Sequence, residues 1–122
     1  MTKILIVDDD ALVREGFKTI LEDFDYELDF AKSAKEAVAL FGPKKYRLIF
    51  LDLALPDRDG NELLRDFRTA DRDVKICVIS GYLSKLGNVL EQHDQSAANT
   101  MFCMKPINRE EIIKITKDNI QN

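Results

Sequence analysis

Histidine occurs once, at His93, and cysteine twice, at Cys77 and Cys103. A chain so poor in imidazole and thiol is a weak candidate for zinc chemistry, which draws on those ligands, and oxygen is its one plentiful donor. The cysteines lie inside the apolar runs KICVIS and MFCM without metal-ligand spacing. They read as buried thiols of a reducing compartment, not as a disulfide. His93 falls in the polar stretch EQHDQSAAN and reads as a surface residue. No apolar run approaches the ~20 residues needed to cross a bilayer. The opening MTKILIVDDD meets three aspartates after four apolar residues, so neither a signal peptide nor an anchor is expected. Basic blocks are missing too: 18 Lys and Arg against 22 Asp and Glu leave a formal charge of -4, which argues against direct nucleic-acid binding. No G-x-G-x-x-G run is present, which sets aside the dinucleotide-binding enzymes. A cytoplasmic protein with no membrane partner is the expectation.

What remains is a chain of 122 residues, read as one domain over 1–122 that buries enough surface to need no staple. Ile4-Leu5-Ile6-Val7 is a short β-rich run without alternation, as expected of a strand covered on both faces. It ends at Asp8, Asp9 and Asp10. Val13, Phe17, Ile20, Leu21 and Phe24 then recur at helical spacing. YELDFA is a second strand, and Ser33 with Glu36 forms the S-x-x-E signature of a helix reaching Phe41, where Gly42-Pro43 stops it. YRLIFLD makes a third strand, ALPDRDG a turn-rich loop, and Leu63, Leu64 and Phe67 the inward face of a third helix. VKICVIS and TMFCM supply two more strands; Leu83, Leu86, Val89 and Leu90 give a weakly patterned helix between them. Asn108 and Glu111 cap a C-terminal helix seated by Ile112, Ile115 and Ile113. Such βα alternation predicts an α/β (βα)5 doubly wound fold, a parallel sheet with helices on both faces and right-handed crossovers. Ligands of such folds sit beyond the carboxyl ends of the strands, where strand order reverses.

The polar residues that stand out all fall at those ends: Asp8, Asp9 and Asp10 after strand one, Asp52 after strand three, Ser80 after strand four and Lys105 after strand five. Asp10 reads most simply as a helix cap. Asp52 does not, because it ends LIFLD and precedes Leu53. Gathered carboxylates raise one another's pKa unless cations sit among them. Lys105 supplies one positive charge, and a hard divalent ion suits the rest; oxygen-only ligation points to magnesium. An ionised carboxylate beside such an ion, with a lysine and a hydroxyl in reach, suits nucleophilic phosphoryl transfer through an acyl phosphate.

The segments ILIVDDDALVR, LIFLDLALPDRDG, VISG and MKPI, in that order, resemble the signature segments of the response-regulator receiver family over essentially the whole chain. The resemblance implies a chemotaxis-regulator-like sheet in the order 2-1-3-4-5. It implies that Asp52 is the phosphoacceptor in a two-component or phosphorelay system, served by a histidine kinase or phosphotransfer protein. Asp9 matches a direct Mg2+ ligand, Asp8 a neighbour acting chiefly through water, and Ala54 the residue whose carbonyl completes coordination. Ser80 matches the hydroxyl that binds a phosphoryl oxygen, Lys105 the lysine that pairs with it, and Pro106 the proline usually preceded by a cis bond. Phe102 matches an aromatic that turns inward on phosphorylation, with plain core packing as the competing reading. Gly60 matches the glycine after the acceptor loop, where a positive φ would account for it, and Pro56 and Asp57 match the loop turn. Ala54 and Tyr82 match positions that tune dephosphorylation; an alanine that cannot orient water and a tyrosine that shields the acyl phosphate imply a long-lived adduct.

Two features depart from the family pattern. Ala98-Asn99 stands where Gly-Ala is usual, and the interval from Ser80 to Lys105 is longer than is typical. Both bear on the output surface, whether that output is a downstream protein target, an effector domain or a homodimer formed on phosphorylation. The chain is expected to act on itself without being a turnover enzyme. The alternative is a receiver-like binding module that works without phosphorylation. An aspartyl phosphatase is disfavoured, since Ala54 occupies the place of its second aspartate.

Overall fold

A computed structural model describes residues 2–81 and 99–120. Five strands, β1 (Thr2–Val7), β2 (Tyr26–Ala31), β3 (Leu48–Asp52), β4 (Lys75–Ser80) and β5 (Thr100–Met104), pair in parallel in the order β2-β1-β3-β4-β5. This is the expected order. Four helices are described: α1 (Ala11–Leu21), α2 (Ala34–Leu40), α3 (Gly60–Ala70) and α4 (Arg109–Asn119), the last being the predicted C-terminal helix. The helix predicted at 83–90, together with Tyr82 and His93, lies outside the described residues. None of the described helices is long and apolar enough to cross a membrane.

The continuous apolar runs of β1, β3 and β4 follow from their central places, because alternate side chains point to opposite faces and both faces are covered. Leu5, Val7, Ile49, Leu51, Ile76 and Val78 meet Ala34 and Ala37 of α2 and Leu63, Leu64 and Phe67 of α3. On the other face Ile4, Ile6, Leu48, Phe50, Cys77 and Ile79 meet Phe17 and Leu21 of α1 and Ile112 of α4. Phe24 belongs to that second core although α1 ends at Leu21. Cys77 is buried and Cys103 half-buried; both are free thiols, with their Sγ atoms 3.7 Å apart.

The caps are local and follow the sequence. Asp10 caps α1, its side chain accepting from the Leu12 N–H. Ser33 caps α2 by accepting from the Glu36 N–H at 3.1 Å, while the Glu36 carboxylate takes the Lys32 N–H, one residue before the cap, at 2.9 Å. At α4 the Asn108 and Glu111 box is reciprocal. Strand order reverses between β1 and β3, and the carboxyl ends of those two strands carry Asp8, Asp9 and Asp52.

Candidate functional site

β1 ends by delivering Asp8 to a position where it is only 2% exposed. Its backbone N–H donates to Ala31 O at 3.0 Å, continuing the pairing with β2. One carboxylate oxygen accepts the Asp10 N–H at 2.9 Å, and its carbonyl accepts from Arg14 Nη1 at 2.8 Å. Asp9 is exposed beside it. β3, fully buried along its length, delivers Asp52 at 3% exposure. The Asp52 Oδ1 atom accepts the Ala54 N–H at 3.0 Å. Asp8, Asp9 and Asp52 each offer a carboxylate oxygen, and these three atoms lie within 4.8 Å of one another.

Lys105 follows β5, held by its N–H bonding to Ser80 O at 2.8 Å. Its ammonium stands 2.8 Å from Asp8 Oδ2 and 3.0 Å from Asp52 Oδ2. Burial pushes the Asp52 carboxyl above its ordinary range; the Ala54 N–H and Lys105 work against that rise, and the Asp8 charge adds to it. For Lys105, burial works downward but is outweighed by hydrogen bonds and charge from Asp8 and Asp52, so the ammonium is held more firmly than usual. One ammonium thus offsets part of the repulsion among three carboxylates. Two buried acids and an exposed third, gathered within ligand distance, fit a hard divalent cation of magnesium type, which binds through a few carboxylates and keeps several waters.

The other candidate residues fall around this cluster. Ser80 is fully buried at the end of β4, in register with Met104. Ala54 is half-buried and forms an isolated bridge with Asp59. The Lys105-Pro106 bond is cis. Phe102 lies on β5 partly buried, packed against the α2 and α3 face of the sheet, which is the core-packing arrangement. Gly60 corrects one expectation, because no described glycine has a positive φ. Its small size answers to crowding instead: a Cβ there would lie 2.5 Å from Leu53 Cα and 2.7 Å from Leu53 O. The sequence reading also treated Asp57 only as a turn residue, whereas its carboxylate accepts the Ala34 and Lys35 N–H groups of α2, each at 2.9 Å.

A doubly wound parallel sheet carrying a carboxylate cluster and a lysine at its switch point defines a class, the doubly wound α/β domains that take their ligand beyond the carboxyl ends of the strands. Comparison with known proteins narrows it. A family model for the response regulator receiver domain matches residues 4–117. The chain is 50% identical over 66 residues to the transcriptional regulatory protein PmrA of Pectobacterium parmentieri, covering 54% of this chain and 30% of that one. It is 32% identical over 111 residues to the virulence transcriptional regulatory protein PhoP of Shigella flexneri, covering 91% of this chain and 48% of that one. It therefore spans between 30% and 48% of the length of these curated relatives. Among solved structures, a CheY-like receiver domain protein from Methanospirillum hungatei matches with a TM-score of 0.82 at 31% identity, over 97% of this chain and 92% of that one. The response regulator TrrA from Thermotoga maritima, in complex with Mg(2+)-BeF, matches with a TM-score of 0.80 at 29% identity, over 98% of this chain and 100% of that one. The chain belongs to the response regulator receiver domain family, whose members are signalling phosphoacceptors, not turnover enzymes.

Proposed function

We propose that residues 1–122 form a single receiver domain in which Asp52 accepts a phosphoryl group from the phosphohistidine of a histidine kinase or phosphotransfer protein. The observation that carries this reading is the Lys105 ammonium bridging Asp8 and Asp52 at 2.8 and 3.0 Å within the carboxylate cluster. An Asp52 oxygen forms the new bond to phosphorus as the phosphorus–nitrogen bond of the donor breaks. The imidazole leaves with the electron pair and takes its proton from solvent. Asp52 needs no general base, because a carboxylate attacks in its ionised form.

Asp8, Asp9, Asp52 and the Ala54 carbonyl are the groups that would hold Mg2+. When bound, that ion supplies positive charge against the equatorial phosphoryl oxygens. Lys105 supplies the protein's own cation to the same charge, exchanging its bond with Asp52 for one with the phosphoryl group. The hydroxyl of Ser80, whose carbonyl accepts the Lys105 N–H at 2.8 Å, takes a second phosphoryl oxygen. That new bond shifts the end of β4, and Phe102 on the neighbouring strand responds. The product is a mixed anhydride open to hydrolysis, as a reversible signal requires.

The similarity to PmrA and PhoP, both named as transcriptional regulators, supports an output through an effector domain or downstream protein, with the nucleic-acid contact made outside this unit. The supporting experiment treats Asp52→Asn and Lys105→Met variants with a phosphodonor and measures intact mass. The assignment predicts no adduct on Asp52→Asn; an adduct of equal yield on that variant overturns it.

A further inference from the structure

We propose that Asp57 is a positioning residue for the metal-binding loop: its carboxylate ties the tip of the loop between β3 and α3 to α2, and that tie holds the Ala54 backbone where a divalent cation needs it. The inference rests on the reading of Asp52 and Ala54 given above.

The segment from Leu53 to Gly60 is closed on itself. Gly60 N–H donates to Leu53 O at 3.2 Å, and Ala54 bridges Asp59 across the loop. The base of the loop is fixed to β4 by the Leu53 N–H donating to Ile79 O at 3.1 Å. Its crossing point is crowded at Gly60, where no side chain fits against Leu53. The tip, Pro56-Asp57, projects to the surface. Arg58 beside it pairs with Asp66 of α3, and Asp57 ties the tip to α2. Oδ1 accepts the Ala34 N–H and Oδ2 the Lys35 N–H, both at 2.9 Å, from residues 23 and 22 positions earlier in the chain.

A carboxylate that accepts two parallel backbone N–H groups is fixed in both position and plane, which a single hydrogen bond does not achieve. The same two bonds hold the Asp57 carboxyl below the ordinary carboxylate range, so the tie is made by its ionised form. At the start of α2 Ser33 accepts the Glu36 N–H and Asp57 accepts the Ala34 and Lys35 N–H groups, so the carboxylate shares the capping of the helix with Ser33. The tie therefore serves the loop and the helix together. Groups behind a metal ligand that fix its orientation commonly govern affinity by about 10-fold or more. Ala54 offers only a backbone carbonyl, so its aim depends entirely on the loop's path.

The test compares Asp57→Ala, Asp57→Asn and Ser33→Ala with the wild type, measuring Mg2+ affinity of the unphosphorylated chain by calorimetry and unfolding without metal. The expected result is Mg2+ affinity weakened about 10-fold in Asp57→Ala and less in Asp57→Asn, which keeps one acceptor. Ser33→Ala, which weakens the same helix end without touching the loop, lowers stability and leaves the affinity unchanged. Phosphorylation of Asp57→Ala recovers at saturating Mg2+. An Asp57→Ala affinity equal to the wild type overturns the inference, as does an equal weakening in Ser33→Ala. If the wild type itself binds no Mg2+, it is the receiver reading that fails.

Discussion

The Lys105 ammonium stands between Asp8 and Asp52, 2.8 Å from one carboxylate and 3.0 Å from the other, and each acid side chain is only 3% exposed. Without that cation two buried negative charges face one another across a short gap. The metal-free domain therefore depends on Lys105 for part of its stability, while the capacity to hold a divalent cation depends on the acids.

Lys105→Met separates these roles. Leaving the two acids without their ammonium costs about 1–3 kcal/mol of stability in metal-free buffer. Added Mg2+ restores most of that loss, since the ion neutralises the same charges. Denaturant unfolding with and without Mg2+ reads both effects; a variant as stable as the wild type in chelator contradicts the bridging role.

The raised pKa of Asp52 gives a pH dependence of definite sign. Its folded-state value lies above the ordinary 3.8, so between those two values the folded chain binds more protons than the unfolded one. Stability of the metal-free protein accordingly falls as pH rises through that window. Asp52→Asn removes this component and is more stable than the wild type at neutral pH without metal. Thermal unfolding from acid to neutral pH checks it, at about 4 °C per kcal/mol for a domain of this size. Saturating Mg2+ favours the wild type and reverses the ranking.

Gly60 tests the crowded crossing of the acceptor loop. The Cβ of Gly60→Ala would meet Leu53 backbone at 2.5 Å, and backbone atoms yield only if the loop shifts. A loss of about 2–4 kcal/mol follows, well above the ordinary helix propensity gain of alanine over glycine. Equilibrium unfolding measures it; a stabilised variant contradicts the packing explanation.

The two thiols sit in environments that shift their pKa values in opposite directions. The Cys77 S–H donates to the Cys103 sulfur, which lowers the Cys103 pKa to about 7 against the opposing effects of burial and Glu111. That bond and burial push Cys77 up. Alkylation at neutral pH should label Cys103 first, and Cys103→Ser should abolish the fast phase. Peptide mapping after brief iodoacetamide treatment decides the order.

Much of the fold was legible because its signals are local. The unbroken apolar runs of β1, β3 and β4 announce strands covered on both faces, and YELDFA and TMFCM mark the edge strands to the residue. Asp10, Ser33 and Asn108 cap the helices their spacing suggested, because a cap reaches only two or three residues along the chain. Asp8, Asp9, Asp52 and Lys105, each at or just beyond a strand end, are gathered in the structure as their positions suggested.

Interactions joining distant segments were not legible. Asp57 reads as a turn residue until α2 is brought to it. Gly60 suggests a positive φ until Leu53 is seen to occupy the space a side chain would need. Arg68 carried no signal in the sequence, yet its guanidinium donates to Val74 O at 2.6 Å, Asn99 O at 3.1 Å and Thr100 Oγ1 at 2.7 Å. Asn99, noticed only as a departure from a family pattern, completes that junction. Its amide donates to Arg72 O at 3.1 Å, and its side-chain oxygen accepts from Lys75 Nζ at 2.6 Å. The substitution thus ties the start of β5 to β4 and the turn before it.

The most direct test of the central claim is the intact mass of the wild-type chain after incubation with a small acyl phosphate, in Mg2+ and in chelator. The account predicts one added phosphoryl group in Mg2+ and none in chelator. A folded chain that binds Mg2+ yet gains no phosphoryl group from either the acyl phosphate or a phosphorylated histidine kinase would contradict it.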